Sequence, residues 1–166
     1  MLTVGKNHDK LTVVNDQIGT PTYTFDLARL LVDMAESEKY GYYHATNEGG
    51  YISWYDFTKE IFRQAVALGH TEYDENHVTV FPVTTAEYGM SKAARPFNSR
   101  LDKSKLVEAG FTPLPDWKDA LQKIFKRSIT IKKNFQLKEV SLLGQIKVKR
   151  TWRNRRIMYY RTYPSR

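Results

Sequence analysis

Between Glu87 and Pro96 the chain reads EYGMSKAARP, with Tyr88 and Lys92 four positions apart and small residues between and after them. A phenol held beside an ammonium can donate a proton to an alkoxide forming on a reduced carbonyl, because the cation lowers the phenol pKa. The context argues against that use here. The pattern follows Pro82 and runs into Arg95-Pro96, and proline disfavours helix at the residue before it, which leaves little room for a long helix to carry the pair. Arg95 is the stronger chemical candidate in this segment. It sits among turn formers, and a guanidinium grips diphosphate oxygens in bidentate fashion; an ordinary surface ion pair is the alternative. Arg100 and Lys103 are weaker candidates, since LDKSKL presents them to solvent equally well.

A second group lies near the start of the chain. Asp16, Gln17, Gly19, Thr20, Pro21 and Thr22 fill the loop between the β-branched run LTVVN and a helical pattern, the position where open α/β sheets place ligands. Side chains and amides there would meet a polar ligand. A turn held by Asx and Thr bonds to backbone explains the same residues, and both readings stay open. His8, His44, His70 and His77 show neither an i, i+4 pairing nor a carboxylate at zinc spacing, so no metal site is expected.

The elements that must position these residues follow from periodicity. Leu11, Val13 and Val14 mark a strand that stops at turn formers. In FDLARLLVDMAESEKYG, Leu27, Leu30, Leu31 and Met34 fall at i, i+3, i+4 and i+7, with Thr24 as N-cap and Gly41 as stop. GYYHATNEGG reads as a strand entering a glycine turn. Ser53 and Asp56 then open a helix at capping-box spacing, with Trp54, Phe57, Ile61, Ala65 and Leu68 on its apolar side and Gly69 at its end. Trp54 and Trp117 are accordingly expected in the core rather than as stacking platforms. VTVFPV is a third strand, at an edge or loop mouth because of Pro82. Two short helices follow, LDKSKLVEAG and PDWKDALQKIF, the second carrying Asp116 and Asp119 at capping-box spacing and a stripe of Trp117, Ala120, Leu121, Ile124 and Phe125. Glu36, Glu38 and Lys39 read as a solvated face. Strand, helix, strand, helix, strand points to an α/β layer.

The 166 residues, 41% hydrophobic and 13% aromatic, suffice for one core with a small appendage. There is no cysteine, hence no disulfide or thiol nucleophile. No apolar run long enough to span a bilayer occurs and no signal peptide is recognisable, so a cytoplasmic protein is expected. The net charge of +8 is unevenly spread: from Lys123 onward there are 14 lysines and arginines against one acid, Glu139, leaving 12 bases against 17 acids in the rest. An acidic body carries a basic tail.

Four blocks, VVNDQIGTPTYTFDLARLL, GYYHATNEGGYISWYDFTKEI, PVTTAEYGMSKAARPFNSRLDKSKL and PLPDWKDAL, in this order and spacing from Leu11 to Leu121, resemble the C-terminal half of dTDP-4-dehydrorhamnose reductase, of the extended short-chain dehydrogenase/reductases. The resemblance implies the C-terminal part of a Rossmann-type α/β fold with a small, mostly helical substrate lobe. It implies a parent enzyme that moves hydride from NADPH or NADH to the C4 ketone of a dTDP-linked deoxysugar, producing dTDP-L-rhamnose, in the cytoplasm and with a homodimer as a possible assembly. Substrate contacts are then expected from Gln17, Gly19, Thr20, Pro21, Thr22 and Arg95. In that family the catalytic tyrosine and lysine belong to the N-terminal half, so Tyr88 and Lys92 are expected to be a coincidence of spacing and no residue here is assigned a catalytic role. The glycine fingerprint for the dinucleotide pyrophosphate is absent from the sequence. Met1 then reads as an internal start in a longer frame, and the chain as a substrate-binding fragment, inactive alone.

The resemblance stops before the tail. Residues 1–127 are expected to form the substrate-binding part and 128–166 a poorly ordered basic extension. Lys147, Lys149, Arg150, Arg153, Arg155, Arg156 and Arg161, interleaved with Trp152, Tyr159 and Tyr160, would suit nucleic acid; a reading-frame artefact is the favoured account, GQIKVK faintly resembling the opening of the epimerase of the same pathway. A non-catalytic member of the family, kept as a ligand-binding or interaction module, is the remaining alternative.

Overall fold

The computed structural model describes residues 1–89 and 93–128. Lys92 of the tyrosine and lysine pair, and the tail from 129 with its basic and aromatic residues, lie outside the described residues. The chain divides into two units, Met1–Ile124 and Phe125–Arg166, and the architecture below is that of the first.

A single helical turn, α1 (Leu2–Gly5), leads into strand β1 (Lys10–Val14), whose Leu11, Val13 and Val14 are buried. Its partner is β5 (Thr79–Val83), which runs parallel with Leu11 opposite Val80 and Val14 opposite Val83. Parallel neighbours require a crossover, and here it carries helices α2 and α3. Pro82 stands opposite Val13 and is exposed; a strand on the rim tolerates its missing N–H.

Helix α2 (Thr24–Ala35) departs from its sequence pattern at three points. Its N-cap is Tyr23 rather than Thr24, with no side-chain cap bond; instead Asn47 Oδ1 accepts from the Tyr23 amide at 2.7 Å. It ends at Glu36, ahead of Gly41. Leu31 is 56% exposed, whereas Leu30 is fully buried with Leu106, Phe111 and Leu114, and Leu27 and Met34 pack alongside. Successive helical residues are about 100° apart, so Leu30 and Leu31 cannot share a narrow contact face. Lys39 is exposed as expected, and its ammonium donates to Ala109 O at 2.6 Å and lies over the Phe111 ring.

Of GYYHATNEGG only β3 (Asn47–Glu48) is strand, paired in parallel with β6 (Leu114–Asp116). Gly49 and Gly50, at φ +101° and +84°, turn the chain into β4 (Ile52–Ser53), antiparallel to β2 (Ile18–Gly19). Helix α3 (Trp54–Ala67) starts at the expected capping box: Ser53 Oγ accepts from Asp56 N at 3.0 Å, and Asp56 Oδ2 accepts from Ser53 N at 3.0 Å. Its buried residues are Thr58, Phe62, Gln64 and Ala65. Trp54 and Leu68, expected on the buried stripe, are 54% and 44% exposed. The face that meets β1 and β5 is rotated from the most apolar one because Phe62 stacks on Tyr73 of the 3-10 turn Thr71–Tyr73, at 5.4 Å. Thr58 can be buried there because its hydroxyl donates to Trp54 O at 2.8 Å. Gly5 completes the fit, since a Cβ at that position would lie 2.7 Å from Phe62 Cζ.

A short helix, α4 (Thr85–Tyr88), follows β5, opened by a Thr84–Glu87 capping box and closed by Gly89 in the left-handed region at φ +58°. Helix α5 (Ser104–Glu108) sends Leu106 into the core, and residues 117–128 form α6, opening with Trp117 at 3% exposure. Ala120 and Leu121 of the expected stripe are buried, while Ile124 is 42% exposed. At the start of α6, Asp116 Oδ1 accepts from Lys118 N at 2.7 Å. The architecture is α/β with parallel pairing, and α2 and α5 supply most of a helical lobe around β3 and β6.

Candidate functional site

The loop after β1 is tied to α4 before it can meet a ligand. Asp16 accepts from the Thr85 amide at 3.0 and 2.9 Å and from the Thr85 hydroxyl at 2.6 Å. These bonds, the hydroxyl's first and then the amide's, hold its carboxyl below the ordinary aspartate range. Gln17 Nε2 donates to Thr85 Oγ1 at 3.0 Å. The hydroxyl thus donates to one neighbour and accepts from the other. Next along, Ile18 N donates to Phe97 O and Ser99 N to Ile18 O, each at 2.8 Å, so the segment after Arg95 lies beside the loop.

On this frame a cavity of about 400 Å³ opens between the loop, the start of α3 and the Arg95 segment. Gln17, Gly19, Thr20, Pro21 and Arg95, five of the six residues expected to bind substrate, line it. Thr22 does not; it lines an adjoining cavity of about 340 Å³ with Thr24 and Asn47, which shares Pro21 and Phe57 with the first. Arg95 is the only charged side chain among the described lining residues, and it is exposed. Within an acidic body, the cavity therefore presents one fixed cation. Thr20 Oγ1 donates to Gly50 O at 2.9 Å, so its free lone pairs suit a donor such as a sugar hydroxyl. Gly19 is not at positive φ, and a Cβ there would sit 3.5 Å from Ser99, ordinary contact; its backbone pairs with Ile52.

Residues that periodicity did not assign to the site complete the wall: Trp54, Phe57, Pro96, Ser99 and Leu101. Trp54 directly follows the N-cap, and that position places it at the loop mouth; this was the available signal. Arg100 and Lys103 take structural posts. Arg100 lies over the Tyr51 ring at 5.6 Å, and Lys103 donates to Asn47 O at 3.1 Å and pairs with Glu48 at 2.8 Å. Tyr88 is the last residue of α4, its amide bonded to Thr84 O at 2.9 Å, and is 37% exposed.

Beneath the site lies a buried polar knot. Asn47, fully buried, accepts from Tyr23 N and donates to Asp26 Oδ2 at 3.1 Å and to Pro115 O at 2.8 Å, while Asp26 pairs with Lys123 at 3.2 Å. It fixes the start of α2, and so the far end of the Thr20–Pro21–Thr22 loop. A wider groove of about 880 Å³ lies along α3 and β5, lined by charges of both signs over Phe62, Val66 and Val78; it shares with the smaller cavity only Ile52. Among the described residues no three His, Asp or Glu side chains gather as a metal site, and no helix is long and apolar enough to cross a membrane.

Comparison with known proteins gives a consistent family. The RmlD substrate binding domain family matches residues 1–130. A dTDP-4-dehydrorhamnose reductase of Aggregatibacter actinomycetemcomitans is 45% identical over 130 residues, which cover 75% of this chain and 42% of that protein. The spore coat polysaccharide biosynthesis protein SpsK of Bacillus subtilis is 37% identical over 122 residues, covering 74% and 38%. Among solved structures, a dTDP-4-dehydrorhamnose reductase from Bacillus anthracis in complex with NADP superimposes with a TM-score of 0.65 at 36% identity, over 76% of this chain and 41% of that one. The chain thus spans less than half the length of these relatives.

Proposed function

Because the chain belongs to the RmlD substrate binding domain family, we propose that it is the sugar-nucleotide-binding part of a dTDP-4-dehydrorhamnose reductase, the enzyme that reduces the C4 ketone of a dTDP-linked deoxysugar. The observation that carries this reading is the convergence of the Gly19–Thr20–Pro21 loop and Arg95, more than 70 positions further along the chain, on one cavity where a guanidinium is the only charged group among the described lining residues. A diphosphate needs such a cation. Thr20 accepts from a sugar hydroxyl, and Gln17, held by Thr85, orients its remaining amide oxygen by the same bond.

The nicotinamide cofactor, NADPH as in the relative solved with NADP, does not fit the residues present here. A dinucleotide pyrophosphate needs closely spaced glycines between a strand and a helix N-terminus. After β1 the loop offers only Gly19, already paired in β2, and Thr84–Thr85 after β5 offers none. The hydride step therefore belongs to parts of the parent protein that this chain does not supply, and these residues bind and orient the acceptor sugar.

Titration calorimetry of the full chain with dTDP tests the reading. Saturable binding is expected, weakened about tenfold or more in Arg95→Ala, the scale of a lost charge-assisted contact. Unchanged affinity in that variant removes Arg95 from the site.

A further inference from the structure

The sequence pattern puts Trp54 in the core, and the structure puts it at the mouth of the cavity. We infer that Trp54 is the platform on which the nucleobase of the bound sugar nucleotide stacks, an inference that rests on the ligand reading above.

Exposure alone would not carry it, because single exposed aromatics are ordinary. What distinguishes Trp54 is its bracing. Its indole lies 6.4 Å from the Phe57 ring, tilted by 58°. Phe57 in turn meets Trp117 edge-on, 5.8 Å away at 75°. Trp117 is 3% exposed and its Nε1 donates to Gly49 O at 3.1 Å, anchoring the ladder in the glycine turn beside the site. A ring in contact with a second, anchored ring loses less freedom on binding, which is the condition for a contact to yield affinity. The ladder also begins in the first turn of a capped helix, so its backbone is held by Ser53 and Asp56.

The ligand chemistry supplies the other half of the argument. A nucleoside diphosphate is a compact anion joined to a flat aromatic ring. The described lining offers a guanidinium, Arg95, and two flat rings, Trp54 and Phe57, of which Trp54 is the larger and the more exposed. Stacking tolerates any base, since every base has a π-face. Trp54 therefore separates nucleotides from bare diphosphates and contributes little to the choice among bases.

The experiment uses the full chain and two ligands, dTDP and inorganic diphosphate. Trp54→Ala is expected to weaken dTDP about tenfold while leaving diphosphate binding unchanged, and Trp54→Phe to retain most of the dTDP affinity. Arg95→Ala is expected to weaken both ligands. Trp54→Leu guards against a loss due to packing: it keeps apolar bulk without a ring, so it should behave like Trp54→Ala toward dTDP. Indole emission quenched by dTDP in the unsubstituted chain should not be quenched in Trp54→Phe. Equal dTDP affinity in Trp54→Leu and the unsubstituted chain overturns the inference, as does an equal loss for both ligands. An unsubstituted chain that binds diphosphate and dTDP equally also overturns it while sparing Arg95, whereas one that binds neither overturns the ligand reading itself.

Discussion

Asp16 and Thr85 are 69 positions apart, and the carboxylate of the first accepts both the amide and the hydroxyl protons of the second. This tie joins the loop after β1 to the start of α4, and so sets where the chain leaves for Arg95.

The same tie makes a pH-dependent prediction. Folding favours ionised Asp16, whose carboxyl titrates below its ordinary value, so the unfolded state binds more protons and stability rises with pH through this window. The contribution is complete above about pH 4, near the unfolded value, and is lost as pH falls through the lower folded value. Asp16→Asn should melt at a lower temperature than the unsubstituted chain at pH 7, with the gap narrowing in acid. Melting curves at pH 7 and pH 3 check this; a gap that stays constant assigns the loss to geometry rather than charge.

Removing the Ser53 cap should cost about 1 kcal/mol. Its hydroxyl accepts from Asp56 N and donates to Asp56 Oδ2 at 2.7 Å, and the residue is 3% exposed. Urea unfolding of Ser53→Ala should shift the midpoint without changing the slope.

Asn47→Ala should be more damaging, by roughly 2–4 kcal/mol, because it strands three partners from separate segments at once, where the Ser53 cap bonds only Asp56. The Tyr23 amide, Pro115 carbonyl and one oxygen of Asp26 each lose their Asn47 contact. Amide exchange should show α2 opening first at its N-terminal turn; protection there equal to the unsubstituted chain would remove Asn47 from this role.

Gly49 and Gly50 should respond differently to alanine although both have positive φ. A Cβ at Gly49 would run into the Asp116 carboxylate, whereas one at Gly50 meets nothing within 4 Å. Gly50→Ala should cost only the backbone strain, about 1 kcal/mol, and Gly49→Ala clearly more. Comparing their denaturation midpoints decides the matter.

Much of the local architecture was readable from residue order. The Ser53–Asp56 box, the strand at Leu11–Val14, the edge position of Pro82 and the helix opened by Trp117 depend on contacts a few positions long. Errors appear where a distant neighbour intervened. Leu31 and Trp54 fit apolar stripes yet face outward, while Asp26 is buried because Asn47 and Lys123, distant in sequence, supply its partners. The cavity was half legible: the loop and Arg95 were identifiable as candidates and line it, whereas Trp54 was expected in the core and Thr22, expected beside Pro21, lines the adjoining cavity instead.

By itself, then, the sequence determined the order of elements, the capped helix starts, the turn glycines and the family, because each of these is written in side-chain spacing along a short stretch of chain. Only the tertiary structure decided which helix face is buried, that Asp16 holds Thr85, and that Trp54 and Arg95 share a cavity. Those outcomes depend on which surfaces meet across dozens of residues, and on whether a buried polar atom finds a partner there, neither of which periodicity records.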